Sequence, residues 1–279
     1  MQQPGQAATK QLRILFVINS RSGRGGENNL KNLVAEQASL AGYDYCLYSM
    51  NGDDKVRIQA EIDRYKPGMV AAAGGDGTVN LMAGILANTG IPLAIIPQGS
   101  ANGMAKELNI PGKAESALEI LVKGKIQKID LIKINGNTCI HLADVGLNAR
   151  VVKRFEKDVN RGILTYAKHL FGEMFLLKKY TFNIFYEGKT VRRKGVSITF
   201  ANASQYGTGA VINPKGKLND GKFELVIIKP FPRIKLLSIA WKMFINKLHT
   251  SDYVEIISCN KALILSSRKT TLQIDGEVI

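Results

Sequence analysis

Gly74-Gly75-Asp76-Gly77-Thr78 sets a carboxylate among glycines, directly after the apolar run Met69–Ala73 and directly before a helical pattern. Glycines let the backbone approach phosphate oxygens closely, and the unpaired N–H groups of a helix start attract the anion. A carboxylate aimed at a phosphate is unfavourable unless it holds Mg2+ or takes a proton from an attacking hydroxyl. Asp76 therefore fits phosphoryl transfer in either role. An ordinary acidic turn at a strand end is the competing reading of an Asp-Gly pair. The loop has no Gly-Lys-Ser/Thr after it and does not follow GxGxxG, which weakens P-loop and Rossmann readings.

Such a loop acts only if strands and helices hold it in place, and the first half of the chain repeats the required rhythm. Arg13–Asn19 leads through the loop at 20–26 into a helical pattern at 28–41. Met69–Ala73 leads through 74–78 into 79–87, and Leu93–Ile96 through 98–103 into 104–108. Right-handed crossovers place all of these loops at the carboxyl edge of one parallel sheet, where such sheets bind ligands, so a nucleotide site is expected there. After Asp130 the pattern changes to short β-rich runs: 182–186, 196–201, 223–228, 253–258, 262–266 and 271–274, with Asn135-Gly136 as a hairpin turn. Strands without intervening helices predict an antiparallel sandwich, broken by helices at Ile163–Lys179 and Ile234–Leu248. The expected organisation is an α/β domain over 1–130 and a β-sandwich domain over 131–279.

Composition narrows the partners. The chain of 279 residues is 45% hydrophobic and 22% charged, as folded globular proteins are, and its net charge of +15 calls for an anionic partner. The basic residues are not interleaved with aromatics and form no nucleic-acid-binding signature, so lipid headgroups or nucleotide phosphates are favoured and no nucleic acid is expected. Met1–Lys10 has no apolar core of signal-peptide length, and runs such as Ile91–Pro97 and Leu225–Ile228 fall well short of the ~18 residues of a membrane span. Cys46, Cys139 and Cys259 are isolated, which argues against disulfides or structural zinc and for a reducing cytoplasm, with any membrane contact peripheral. His141, His169 and His249 fall in separate elements without metal-site spacing and read as structural or surface residues, while Cys139 reads as a packed thiol. Arg233, Lys235, Lys242 and Lys247 with Leu237, Trp241, Phe244 and Leu248 form a basic amphipathic helix. It suits either an anionic membrane surface or packing on the sandwich. Leu170, Met174, Phe175 and Leu177 suit an acyl pocket or a plain core helix. A homodimer is left open.

Taken together, Asn19 with Ser22-Gly23-Arg24, Gly74-Gly75-Asp76-Gly77-Thr78, Pro97-Gln98-Gly99-Ser100-Ala101-Asn102, Ile129-Asp130, Lys217-Leu218-Asn219-Asp220-Gly221 and Asp275-Gly276-Glu277 follow one another in an order that resembles the diacylglycerol kinase catalytic-domain family. That family includes soluble bacterial lipid kinases and sphingosine kinases. The resemblance implies a nucleotide-binding α/β domain joined to a β-sandwich lipid domain, with ATP and lipid meeting between them. It implies an ATP- and Mg2+-dependent kinase acting on the hydroxyl of a membrane lipid, diacylglycerol or a sphingoid base. By position, Asn19, Ser20, Arg21, Ser22, Gly23 and Arg24, then Gly74, Gly75, Asp76, Gly77, Thr78, Val79, Asn80 and Leu81, then Gly99, Ser100 and Asn102 would surround ATP. Glu277 matches a proton acceptor, and whether Asp76 or Glu277 is the base stays open. Asp220 matches a side-chain ligand of a second Mg2+, beside backbone carbonyls of Lys217 and Lys222, with Asp130 linking that metal to the active site.

The chain also departs from the family pattern. Gly103 stands where many bacterial members have Asp, which looks more like the sphingoid-base branch, and Leu81 replaces a frequent Glu. A sphingoid amine would want a carboxylate, for which Asp144 is a candidate. Family chains usually run past their Asp-Gly-Glu motif and return to the first domain, whereas this sequence stops at Ile279. The competing expectations are a kinase of a soluble substrate such as NAD, and a nucleotide-binding regulatory module with impaired catalysis.

Overall fold

The computed structural model describes residues 11–19, 26–52, 54–146 and 178–279. The chain divides into two compact units, Met1–Gly99 with Ile110–Ile126, and Ser100–Asn109 with Gln127–Ile279. Ser100–Asn109, inside the expected 1–130 domain, groups with the second unit.

The first unit is built on a four-stranded parallel sheet of order β2-β1-β3-β4: β1 is Arg13–Asn19, β2 Asp44–Met50, β3 Met69–Gly74 and β4 Leu93–Pro97. Its helices are α1 (Glu27–Ala41), α2 (Lys55–Tyr65), α3 (Asp76–Leu86) and α5 (Ala114–Lys123). Helical spacing on α1 brings Leu30, Val34 and Ala38 to one face. There they close over Ile14, Phe16 and Ile18 of β1, Ala71 and Ala73 of β3, and Ala117, Leu118 and Leu121 of α5. The alanines of β3 leave room for that layer. α1 stops where Gly42 turns left-handed at φ 70°, a conformation open to glycine at little cost, and its N–H donates to the Ala38 carbonyl.

In the second unit, α4 (Gly103–Glu107) precedes the strands β5 (Ile132–Ile134), β6 (Asn137–Cys139), β7 (Leu142–Gly146), β8 (Tyr180–Tyr186), β9 (Lys189–Gly195) and β10 (Ser197–Ala201). β11 (Phe223–Ile228), β12 (Val254–Cys259), β13 (Ala262–Ser266), β14 (Leu272–Ile274) and β15 (Glu277–Val278) follow. They form a six-stranded antiparallel sheet of order β12-β11-β10-β7-β14-β15 and a three-stranded sheet of order β13-β8-β9. Period-two alternation gives the large sheet two apolar faces. One packs Ile198, Leu225, Ile227 and Ile257 against Phe182 and Ile184 of the small sheet, which makes the expected sandwich core. The other packs Leu142, Ala201 and Val226 against Ile239 and Leu248. β5 and β6 form the hairpin expected at Asn135-Gly136, where both turn residues have positive φ, 49° and 88°.

The single helix expected at Ile234–Leu248 is interrupted. A 3-10 turn at Arg233–Lys235 leads into α6 (Leu236–Phe244), Asn246 turns left-handed at φ 57°, and a second 3-10 turn follows at Leu248–Thr250. The expected helix at Ile163–Lys179 and its apolar residues fall in or beside 147–177, outside the described residues. Among the described residues no helix is long and apolar enough to cross a membrane.

Candidate active site

At the carboxyl edge of the parallel sheet, β1, β3 and β4 end side by side, with Ile18 opposite Ala73 and Gly74 opposite Pro97. Asn19 Nδ2 donates to Thr78 Oγ1 at 3.1 Å, and Gln98 N–H donates to the Gly74 carbonyl at 2.9 Å. A Cβ at Gly74 would collide with the Thr78 side chain, and one at Gly75 would lie 3.4 Å from Gly99 Cα. The end of β1, the loop Gly74–Thr78 and Gln98–Gly99 therefore share one small region. α3 begins here with Gly75 as an extended N-cap and no side-chain cap, and its first helical bond runs from Val79 N–H to the Gly75 carbonyl at 3.1 Å. The N–H groups of that first turn have no intrahelical acceptor, which is how helix starts receive anions. Asp76 sits at this start, half-buried, and Asn80 Oδ1 one turn on is buried without a hydrogen-bond partner. Thr78 and Val79 are buried and Leu81 is half-buried. A cradle of backbone N–H groups lined by glycine suits the phosphates of ATP, and Asn80 Oδ1 can accept from a ligand's N–H or O–H. Ser20, Arg21, Ser22, Gly23 and Arg24 lie outside the described residues.

In the second unit, Ser100 is exposed and Asn102 takes a left-handed φ of 50° before α4. Gly103 lies against the His141 ring, so that a Cβ there would come within 2.6 Å of Cε1 and 3.0 Å of Nδ1. The imidazole thus fills the space that a side chain at 103 would need. His141 is only 7% exposed and its Nε2 has no partner. α4 is fastened by the Lys106 ammonium to the Gly207 carbonyl and by Glu107, which accepts the Ser204 N–H at 3.1 Å and its hydroxyl at 2.9 Å.

Asp130 and the loop at 217–222 come together. Asp130 N–H donates to the Leu218 carbonyl at 2.5 Å, and Asp130 Oδ2 accepts the Gly221 N–H at 2.7 Å. Asp220 Oδ1 accepts the Lys222 N–H at 3.1 Å; Lys217, Asp220 and Lys222 are all exposed. These carboxylates and the adjoining carbonyls are hard oxygen donors of the kind Mg2+ takes, with water completing its shell. No cluster of three or more His, Cys, Asp or Glu side chains suited to a metal occurs among the described residues, so backbone oxygens would have to contribute. Asn202, which sequence reasoning missed, ties this loop to the rest of the unit. It is buried, and its Nδ2 donates to the carbonyls of Asp130 and Ile140, both at 2.8 Å.

Asp275-Gly276-Glu277 divides its labour. Asp275 and Gly276 form the left-handed turn between β14 and β15, at φ 48° and 93°. The Asp275 carboxylate faces inward and accepts the N–H groups of Ile140, His141 and Leu142 at 2.9, 3.0 and 3.0 Å, while Glu277 is exposed. Burial pushes the Asp275 carboxyl up, against the pull of those N–H groups and of His141. Burial, with Asp275 beside it, also pushes the Cys139 thiol well above its ordinary range, which fits a packed thiol. Asp144 is fully buried in the large sheet and accepts from Thr199 Oγ1, Tyr206 OH at 2.9 Å and Gln273 Nε2 at 2.6 Å. With these donors around it, Asp144 is a structural carboxylate in the sheet rather than an exposed partner for a lipid amine.

Residues 13–134 match the diacylglycerol kinase catalytic domain, and residues 142–279 match the YegS C-terminal NAD kinase beta sandwich-like domain. The diacylglycerol kinase of Bacillus subtilis is 26% identical over 275 residues, 96% of this chain and 90% of its own. An uncharacterized protein of Synechocystis is 27% identical over 218 residues, 75% of this chain, which spans 50% of that relative's length. A crystal structure from Bacillus anthracis has the same fold, with a TM-score of 0.79 at 20% identity over 96% of this chain and 91% of that one.

Proposed function

Because this chain belongs to the diacylglycerol kinase catalytic-domain family, we propose that it is an ATP- and Mg2+-dependent kinase that phosphorylates the hydroxyl of a membrane lipid, diacylglycerol or a sphingoid base. The observation that carries the reading is the meeting of Asn19, Gly74–Thr78 and Gln98–Gly99 at the carboxyl edge of one parallel sheet, beside an uncapped helix start. Kinases of this family take the phosphoryl group from ATP. Backbone N–H groups at the start of α3 bind its phosphates, and the glycines let the backbone reach them. A lipid hydroxyl attacks only when a base takes its proton, a role for Asp76 or Glu277. A second Mg2+ would be held by Asp220, the carbonyls of Lys217 and Lys222, and Asp130, and would supply positive charge.

A second reading, a kinase of NAD, draws on the NAD kinase-like character of the domain matched at 142–279. Radiolabelled ATP supplied with vesicles carrying diacylglycerol, phosphatidylglycerol, sphingosine or none of these, alongside free NAD, separates the two by the labelled product. Label is expected in a lipid. Label in NAD alone would overturn the lipid reading, and no product from any acceptor would favour an impaired regulatory module.

A further inference from the structure

The segment from Arg233 to Leu248 covers one face of the large antiparallel sheet, and it exposes an apolar ridge that the fold does not use. Ile239 points inward and is 5% exposed, and Met243, one turn on, packs beside it against the same cluster. On the opposite side Ile234, Trp241 and Phe244 are 85%, 65% and 62% exposed, and Ile245 beyond them is 40% exposed. Ile234 precedes Trp241 by seven residues, and Phe244 and Ile245 follow it by three and four, spacings that return each to one side of a helical segment. Leu40 and Val56 stand singly on their helices, while Leu263 and Leu265 on β13, with Phe185 opposite Leu263, make a second exposed apolar group. A run of large apolar side chains held outward on one short segment is an interaction surface rather than ordinary exposure.

The charge around the ridge identifies the occupant. Arg233, Lys235 and Lys247 are exposed on the same segment, Lys242 reaches the Thr250 carbonyl at 3.1 Å, and no acidic residue lies between Pro230 and Ser251. Basic groups flanking Trp, Phe and Ile are what an anionic bilayer interface takes: apolar tips enter the acyl boundary while ammonium and guanidinium groups meet phosphate. A second copy of this chain would instead bring a further charge of +15 against the same cations. We propose that the α6 segment docks the protein on an anionic membrane surface, with Ile234, Trp241 and Phe244 inserted. The inference rests on the lipid-kinase reading for its purpose, since it places the protein where a lipid acceptor resides.

Trp241 is the only tryptophan in the chain, so its fluorescence reports on the proposed contact alone. With phosphatidylglycerol vesicles its emission should shift to the blue, and with phosphatidylcholine vesicles much less. Ile234→Ser with Phe244→Ser should lower partition onto phosphatidylglycerol vesicles by roughly a hundredfold, since each substitution removes an apolar side chain whose transfer is worth about tenfold. Both positions are exposed, so thermal unfolding should stay unchanged. Leu263→Ser with Leu265→Ser, on the outward side of β13, serves as the control and should bind as the parent does. Binding that leaves Trp241 emission unmoved, or that is lost in the β13 variant instead, overturns the proposal. So does a concentration-dependent blue shift without vesicles, which would show a second copy covering the ridge. A water-dispersed short-chain diacylglycerol separates the two claims. Its phosphorylation by a protein that does not bind vesicles removes the docking face and leaves the kinase, whereas binding through α6 with no lipid ever phosphorylated removes the kinase and leaves the docking face.

Discussion

At the scale of single residues, glycine and aspartate carry the site for different physical reasons. Gly74 is required because Thr78 occupies the space of a side chain, while Asp76 stands at a helix start rather than in a core. Asp76→Ala should therefore leave thermal unfolding nearly unchanged and lower phosphoryl transfer by two or more orders of magnitude, the usual worth of a metal-holding or proton-accepting group. Turnover above about a tenth of the parent's would remove Asp76 from both roles. Gly103 was legible only as a departure from a pattern, because its neighbour His141 lies far away in sequence and no spacing rule links them. The contact makes a sharper expectation. Gly103→Ala places a methyl group within 2.6 Å of the buried imidazole and should cost about 1–3 kcal/mol, as overpacked cores do. In a His141→Ala background the same change should cost much less, so a double-mutant cycle of unfolding free energies should show coupling. Additive costs would mean that the ring moves aside freely.

Among the secondary elements, those that hold the site were the readable ones. β1, β3 and β4 are buried apolar runs that end in glycine loops, and the expected bounds fell within a residue of the observed ones. β2 and α2 were missed because neither carries a strong pattern. β2 is the sheet's edge and no residue on it is fully buried, while α2 buries only Ile58 and Ile62 among charged neighbours. β7 was missed as well: it is short and carries Asp144 and Gly146, residue types depleted in strands, and only the partners Thr199 and Gln273 on adjoining strands explain a buried carboxylate there. The same long-range logic splits Asp275-Gly276-Glu277. Asp275 holds the N–H groups that lead into β7, so Asp275→Ala should leave Ile140, His141 and Leu142 unpaired and cost at least about 3 kcal/mol. Glu277 is exposed, so Glu277→Gln should leave stability unchanged and, if this is the base, lower turnover sharply. Chemical denaturation and an ATP consumption assay on both variants check the division. Equal loss of stability in both would refute it.

Over the whole molecule, Lys and Arg number 38 against 23 Asp and Glu, an excess spread along the chain rather than gathered at α6. Two forces should then act at an anionic membrane, and salt distinguishes them. Attraction of the net charge is long-ranged and fades as the Debye length falls from about 10 Å at 0.1 M to about 3 Å at 1 M. Insertion of Ile234, Trp241 and Phe244 removes apolar surface from water, which salt does not weaken. Partition of the parent onto phosphatidylglycerol vesicles should thus drop steeply between 0.1 and 1 M salt and level off above zero. The variant with Ile234→Ser and Phe244→Ser should keep the steep part and lose the residual. Turnover on a water-dispersed short-chain diacylglycerol should change much less over the same range, because that acceptor presents no charged surface. Vesicle sedimentation at stepped salt, read beside that turnover, makes the comparison. Binding that ignores salt would show that the net charge does not bring the protein to the membrane, and a variant that keeps its high-salt residual would show that the α6 ridge does not insert.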